Sequence, residues 1–141
     1  MIMECKWIGQ YTYGEGYPDD VKGKSVPFEL ELIVNGIEFQ GNFSDDETRD
    51  IFSDNGIVKG YLENDCISFF KLYPKAWQIT EEGRVKILEN EDPHFIEYEG
   101  VLNQDQFEGS WQIPMHFVGD DGPFTEIYGS GTWSMEKALL H

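Results

Sequence analysis

The residues of this chain that could do chemistry are not spaced as in the common catalytic or metal-binding motifs. None of the histidines His94, His116 and His141 lies two or four residues from another histidine or a cysteine, as a zinc site on one element would need. The nucleophile elbow, the phosphate-binding glycine loop and the dinucleotide fingerprint are also absent. We therefore predict no catalytic residue, no metal ligand and no cofactor, and favour a non-catalytic protein over an enzyme.

Acidic side chains form clusters that all fall in predicted loops. The clusters are Asp19-Asp20, Asp45-Asp46-Glu47, Glu89/Glu91/Asp92 and Asp120-Asp121. We expect them to be ordinary solvated turns. A weak Ca²⁺ site is the alternative, although the alternating ligand spacing of an EF-hand loop is missing.

A recurring five-residue pattern has a glycine at its centre and a large apolar residue two positions away on each side. The copies are 7–11, 39–43, 58–62, 98–102 and 107–111, with a degenerate copy at 129–133. Residues two apart in a strand share a face, so each glycine lies between two bulky side chains on one side. Glycine also lets a strand bend sharply, which helps a sheet to close into a small barrel. The pattern thus predicts the concave face of a barrel.

If the glycines face inward, a set of large side chains lines the interior. The set is Trp7, Tyr11, Tyr13, Phe39, Phe43, Leu62, Tyr98, Phe107, Trp111, Trp133 and Met135. A barrel of about eight strands either fills its middle with side chains or holds one small ligand. The inward glycines favour space at one end, where Tyr hydroxyls and Trp N–H groups would orient a ligand. The predicted ligand-binding residues are Trp7, Tyr11, Phe43, Tyr98, Trp111 and Trp133.

The elements that must position these side chains are short strands joined by turns. Strands are predicted at 5–13, 27–34, 37–43, 56–63, 66–73, 94–102, 105–113 and 128–136, with a possible ninth at 84–88. Asn35-Gly36 is a strong signal for a two-residue hairpin, and 64–65 and 103–104 are equally short links. Longer connections are predicted at 14–26, 44–55, 74–93 and 114–127. Ser44 and Glu47 match a capping box, which predicts one short helix that ends near Phe52.

The fold predicted from these elements is all-β. Residues 1–141 are expected to form a single domain, an antiparallel up-and-down meander barrel of about eight strands with at most one or two short helices.

The charge and the two cysteines limit the partners and the compartment. The chain has 10 basic and 27 acidic residues, a formal net charge of −17, which disfavours nucleic acid and anionic membranes as partners. No signal peptide or membrane span is apparent, which predicts a cytoplasmic protein. Cys5 and Cys66 are expected to be buried, reduced thiols, with a single disulfide between them as the alternative.

The chain resembles the calycin-type barrels, the group of avidins, lipocalins and cytoplasmic fatty-acid-binding proteins. The resemblance rests on the length, the meander, and the motifs Gly109-Ser110-Trp111, Gly131-Thr132-Trp133 and Trp7-Ile8-Gly9-Gln10-Tyr11. It implies a barrel that binds a small hydrophobic or vitamin-like ligand at its open mouth. Only the architecture carries over, because the Gly-x-Trp that lipocalins have in their first strand lies near the end of this chain.

Two functional hypotheses follow. The first is a non-catalytic barrel that binds a small apolar or aromatic molecule. The second is an acidic protein-binding module, of inhibitor or immunity type, with a filled barrel and a functional outer surface. Ile8, Tyr61 and Val101 interrupt the polar outer face, and they suggest a homodimer through a sheet face.

Overall fold

A computed structural model describes residues 2–138, except for the side chains of residues 2 and 115–118. Its main feature is a closed antiparallel barrel in the order β1-β10-β9-β8-β5-β4-β3-β2, while β6 and β7 form a separate two-stranded sheet. The strands are β1 (Ile2–Tyr13), β2 (Ser25–Asn35), β3 (Glu38–Asp45), β4 (Gly56–Glu63), β5 (Cys66–Leu72), β6 (Trp77–Ile79), β7 (Val85–Ile87), β8 (Phe95–Asn103), β9 (Gln106–Gly119) and β10 (Gly122–Lys137). The predicted all-β, up-and-down barrel of eight strands is confirmed.

The connections differ between the two ends of the barrel. At one end β2–β3, β4–β5 and β8–β9 are joined by tight turns, which use positive φ angles at Gly36, Asn64, Asp65 and Gln104. Because strands alternate in direction, the long connections 14–24, 46–55 and 73–94 all lie at the other end. We call the end with the tight turns the closed end and the end with the long connections the open end.

The predicted loop at 114–127 is wrong. These residues continue β9 and β10 as one long hairpin, whose turn is at Asp120 and Asp121. Pro114 and Pro123 lie in the part of this hairpin that extends beyond the neighbouring strands β8 and β1, where a proline is tolerated. The predicted ninth strand at 84–88 exists as β7, but it pairs with β6 outside the barrel.

The predicted helix after Ser44 is also wrong, because residues 46–51 form turns rather than a helix. The residue that caps these turns is Asp45, whose Oδ1 accepts hydrogen bonds from the Thr48 backbone N–H and hydroxyl, both at 2.8 Å. The strand β3 continues to Asp45, so the cap lies one residue later than the capping box predicts.

The glycines of the recurring pattern do face the concave side, as predicted, but they do not leave empty space. The residues around them are buried or half-buried, and a Cβ at these glycines would collide with the neighbouring strand or with a ring. At Gly131 an added Cβ would lie 2.6 Å from Trp111 Nε1, and at Gly100 it would lie 2.7 Å from Trp133 Cζ2. The glycines therefore make room for the two indole rings.

Each of these indole rings braces three adjacent strands. Trp111 of β9 crosses β10, and its Nε1 donates to the carbonyl oxygens of Thr132 and Thr12, at 3.1 and 3.2 Å. Trp133 of β10 crosses β9 in the opposite direction and donates to Ser110 O and Glu99 O, at 3.0 and 3.2 Å. The two Gly-x-Trp motifs thus connect β8, β9, β10 and β1 through side-chain hydrogen bonds in addition to the backbone ladder.

Side chains fill the middle and the closed end of the barrel. The fully buried interior includes Phe28, Leu30, Phe43, Val58, Lys71 and Met135. At the closed end Trp7 packs on Phe107, with ring centroids 5.4 Å apart. All the side chains predicted to face inward belong to this core or pack against it.

The two cysteines differ in environment and are not bonded to each other. Cys5 is half-buried on β1 and Cys66 is exposed on β5, so the prediction of two buried thiols is wrong for Cys66. Within residues 2–138, no helix is long and apolar enough to cross a membrane.

The indole brace predicts that Gly131→Ala destabilises the barrel by about 1–3 kcal/mol, because the added methyl group must displace a buried ring or a strand. Urea unfolding followed by circular dichroism measures this difference. Ser110→Ala, on the exposed side of β9, is the control and should change stability by less than about 1 kcal/mol. Equal effects of the two substitutions would contradict the brace.

Candidate ligand-binding site

A cavity of about 460 Å³ lies at the open end of the barrel. Aromatic rings form most of its wall: Tyr11, Tyr13, Tyr17, Tyr73, Trp77, Tyr98, Trp111 and Tyr128. The rest of the wall consists of aliphatic side chains, the amide of Gln78, and the charged or titratable Lys75, Glu91 and His94. The volume is in the range of small-molecule sites in proteins.

Several elements supply the wall, and their sequence explains which side chains point inward. Tyr11 and Tyr13 occupy alternate positions of β1, so they share its concave face. The connection 14–24 folds back and packs Tyr17 on Tyr13, with ring centroids 4.7 Å apart. On the opposite side the segment with β6 and β7 packs Trp77 on Tyr73, at 5.2 Å.

The carboxylate of Glu47 lies behind two of these tyrosines. Its Oε1 accepts hydrogen bonds from the hydroxyls of Tyr11 and Tyr13, at 2.8 and 2.5 Å. Its side chain is only 3% exposed, and its Oε2 lies 3.4 Å from Nζ of the half-exposed Lys24. This carboxylate orients two rings of the cavity wall through charge-assisted hydrogen bonds.

A second carboxylate, that of Asp45, is fully buried at the end of β3. Its Oδ2 accepts a hydrogen bond of 2.6 Å from the Tyr73 hydroxyl, while Oδ1 caps the turn at Thr48. The prediction that the cluster 45–47 is a solvated turn is therefore wrong for Asp45 and Glu47. Both carboxylates are removed from water and held by tyrosine hydroxyls.

A lysine lies below the cavity, in the middle of the barrel. Lys71 is fully buried, and its Nζ donates a hydrogen bond of 3.1 Å to the Tyr98 hydroxyl. Nζ also lies 3.7 Å from the ring centroid of Phe28, 4.4 Å from that of Tyr98, 5.1 Å from that of Phe43 and 5.3 Å from that of Tyr11. These rings and the charge of Asp45 favour the ammonium, but burial dominates and lowers the pKa of Lys71 to about 7.

Five tyrosines of the wall have raised pKa values and stay protonated over the physiological range. Burial raises the pKa of Tyr17 to about 12, and the charge of Glu47 contributes to the shift. Burial is also the main reason that the pKa values of Tyr11, Tyr13, Tyr73 and Tyr98 lie above their ordinary value. The negative charge of Asp45 raises all four further, and that of Glu47 raises all of them except that of Tyr73.

The structure brings together only part of the set of predicted ligand-binding residues. Tyr11, Tyr98 and Trp111 line the cavity. Phe43 lies in the core beside Lys71, whereas Trp7 and Trp133 pack further down the barrel against Phe107 and against Phe69 and Tyr98. The indole N–H of Trp111 is bonded to backbone carbonyls, so it does not point to the cavity as a free donor.

Sequence reasoning missed Lys71, Asp45 and Glu47. A signal existed for Lys71, because it alternates with Ile67 and Phe69 on the concave face of β5. No comparable signal marks Asp45 and Glu47, since acidic residues in a predicted turn are normally solvated.

No family model, no curated protein and no solved structure matches this chain. The site is therefore interpreted from its geometry.

The buried Lys71 predicts a pH dependence of stability. Its pKa is about 7 in the folded protein and 10.5 in the unfolded chain, so between these values the unfolded chain binds more protons. The free energy of unfolding therefore rises with pH. Lys71 contributes about 2 kcal/mol to this rise between about pH 7 and 9. Lys71→Met should remove this rise, as measured by urea unfolding at several pH values.

The matched control is Lys59→Met, since Lys59 is exposed on the outer face of β4. This variant should keep the pH dependence of the unsubstituted protein. A rise of undiminished size in Lys71→Met would show that Lys71 is not a buried titrating group.

Proposed function

We propose that this protein binds one small molecule with an apolar or aromatic body in the cavity at its open end, without catalysing a reaction. The observation that carries the proposal is the cavity of about 460 Å³ whose wall is mainly aromatic. Small-molecule sites are typically concave and mostly apolar, with a few well-placed polar groups. The hydroxyls of Tyr11 and Tyr13, fixed by Glu47, are such groups here.

The architecture supports this proposal because it separates a rigid scaffold from a variable mouth. The backbone ladder and the two indole braces stabilise the wall, whereas the long connections at the open end supply much of the cavity lining. This arrangement is consistent with the calycin-type resemblance, in which a ligand occupies the mouth of an up-and-down barrel. We extend the resemblance to the position of the ligand and not to its identity.

A substitution that fills the cavity tests the proposal. Ile96 lines the cavity, so Ile96→Trp should reduce its volume and weaken the binding of N-phenyl-1-naphthylamine, an uncharged fluorescent aromatic probe, at least ~10-fold. Ile57→Trp is the control, because Ile57 is 54% exposed on the outer face of β4, and it should leave binding unchanged. Fluorescence titration gives both affinities. Equal affinities of the two variants would place the probe elsewhere and contradict the proposal.

A second candidate function, the acidic protein-binding module, is supported by the outer surface. Tyr61 and Val101 are 53% and 52% exposed, and they lie on the two strands that flank β5. Glu63, Glu99 and Glu108 belong to the same shallow surface, which suits a basic partner. Ile8 does not belong to it, because β1 is three strands away from both β4 and β8 in the barrel.

The same surface is the position we propose for a homodimer through a sheet face. Tyr61→Glu should then weaken self-association in sedimentation velocity experiments, because it places a charge in an apolar contact and adds to the negative charge of Glu63, Glu99 and Glu108. For a basic protein partner, the complex should weaken as ionic strength rises. A monomer at all accessible concentrations, with no salt-sensitive binding of basic proteins, would remove both proposals.

A further inference from the structure

The polar groups of the cavity wall beside Glu47 and Asp45 offer acceptors rather than donors. The hydroxyl protons of Tyr11 and Tyr13 are directed to Glu47, and that of Tyr73 is directed to Asp45. The indole N–H of Trp111 is directed to backbone carbonyls. What these residues present to a ligand is therefore their aromatic rings and the lone pairs of their oxygens. Such a wall complements a ligand that is positively charged or donates hydrogen bonds.

Negative charge is concentrated behind this wall. Asp45 is fully buried and the Glu47 side chain is 3% exposed, so both carboxylates act through a poorly solvated region where electrostatic interactions are strong. Lys71, below the cavity, is the buried cation of the described barrel, and its lowered pKa leaves it only partly charged at neutral pH. The half-exposed Lys24 is screened by solvent. The carboxylates therefore exceed the buried positive charge.

The interior already places one amino group among aromatic rings. Nζ of Lys71 lies within 5.3 Å of the ring centroids of Tyr11 and Tyr98, two residues that also line the cavity. Attraction between a cation and aromatic rings is strongest where water is excluded. The rings that surround Lys71 offset part of the cost of burying its ammonium, although burial dominates and lowers the pKa of Lys71.

The charged groups at the rim do not oppose a cation. Lys75 lies 3.9 Å from the carboxylate of Glu89, and both side chains are exposed, so the positive charge there is compensated and screened. Glu91 adds a carboxylate to the lining. In the part of the cavity formed by Tyr11, Tyr13 and Tyr73, a carboxylate ligand would meet rings, oxygen lone pairs and the fields of Asp45 and Glu47, all of which disfavour it.

We propose that the ligand of the cavity is an organic cation, an amine or quaternary ammonium group attached to an apolar or aromatic body. This inference rests on the proposed function, because it specifies the ligand class of the same site. The cationic group lies among the tyrosine rings near Glu47, and the apolar body contacts the aliphatic part of the wall.

Three compounds with the same phenylbutyl body test the inference: 4-phenylbutyltrimethylammonium, 4-phenylbutanol and 4-phenylbutyrate. Titration followed by tryptophan fluorescence should give ~10-fold tighter binding of the ammonium compound than of the alcohol, and no saturable binding of the carboxylate. Equal binding of the ammonium compound and the alcohol, or tightest binding of the carboxylate, would overturn the inference but leave the proposed function. Binding of none of the three would count against both.

Variants that change the buried charge provide a second test. Removal of a buried negative charge and removal of the buried positive charge should change the affinity for the ammonium compound in opposite directions. Glu47→Gln keeps an oxygen that accepts from the tyrosines but removes the charge, so it should weaken the binding of the ammonium compound ~10-fold more than the binding of the alcohol. Lys71→Met removes the competing cation and should strengthen the binding of the ammonium compound. Glu31→Gln, on the exposed face of β2, changes the net charge equally and is the control for long-range effects.

The ratio of the affinities for the ammonium compound and the alcohol is the decisive quantity, because it corrects for small changes of cavity shape. A ratio unchanged in both Glu47→Gln and Lys71→Met would overturn the inference. If Glu47→Gln does not fold, as judged by circular dichroism, the Lys71→Met ratio and the comparison of the three compounds on the unsubstituted protein still decide it.

Discussion

The burial of two carboxylates at the open end is the constraint on which the rest of the site depends. Removing a carboxylate from water costs several kcal/mol unless hydrogen bonds replace its hydration. Asp45 and Glu47 receive those bonds from Thr48 and from the hydroxyls of Tyr11, Tyr13 and Tyr73. The need to hydrogen-bond these carboxylates therefore fixes the positions of Tyr11, Tyr13 and Tyr73. Their positions in turn determine the shape of the cavity.

The wall that carries this site is stabilised independently. Gly100 and Gly131 lack side chains where indole rings cross the strands, so Trp133 and Trp111 donate to backbone carbonyls instead of pointing to a ligand. The recurring glycine pattern thus explains the closure of the barrel and not the cavity. The space at the open end arises where the long connections replace the packed interior.

The fold could be predicted from sequence because glycine spacing and hairpin signals act locally, as Asn35-Gly36 and the strand Gly56–Glu63 show. The hairpin through residues 114–127 was missed because prolines and glycines obscured its alternation. The site was predicted in part through Tyr11, Tyr98 and Trp111. Asp45 and Glu47 could not be found, since their partners are distant in sequence and only the closed barrel brings them together.

The most direct test of the account uses the indole N–H signals of the four tryptophans in ¹⁵N-labelled protein. Trp77 and Trp111 line the cavity, whereas Trp7 and Trp133 lie away from it in the barrel. Saturation with 4-phenylbutyltrimethylammonium should shift the signals of Trp77 and Trp111 and leave those of Trp7 and Trp133 nearly unchanged. Shifts confined to Trp7 and Trp133, or no shift at saturating concentration, would contradict a ligand site at the open end.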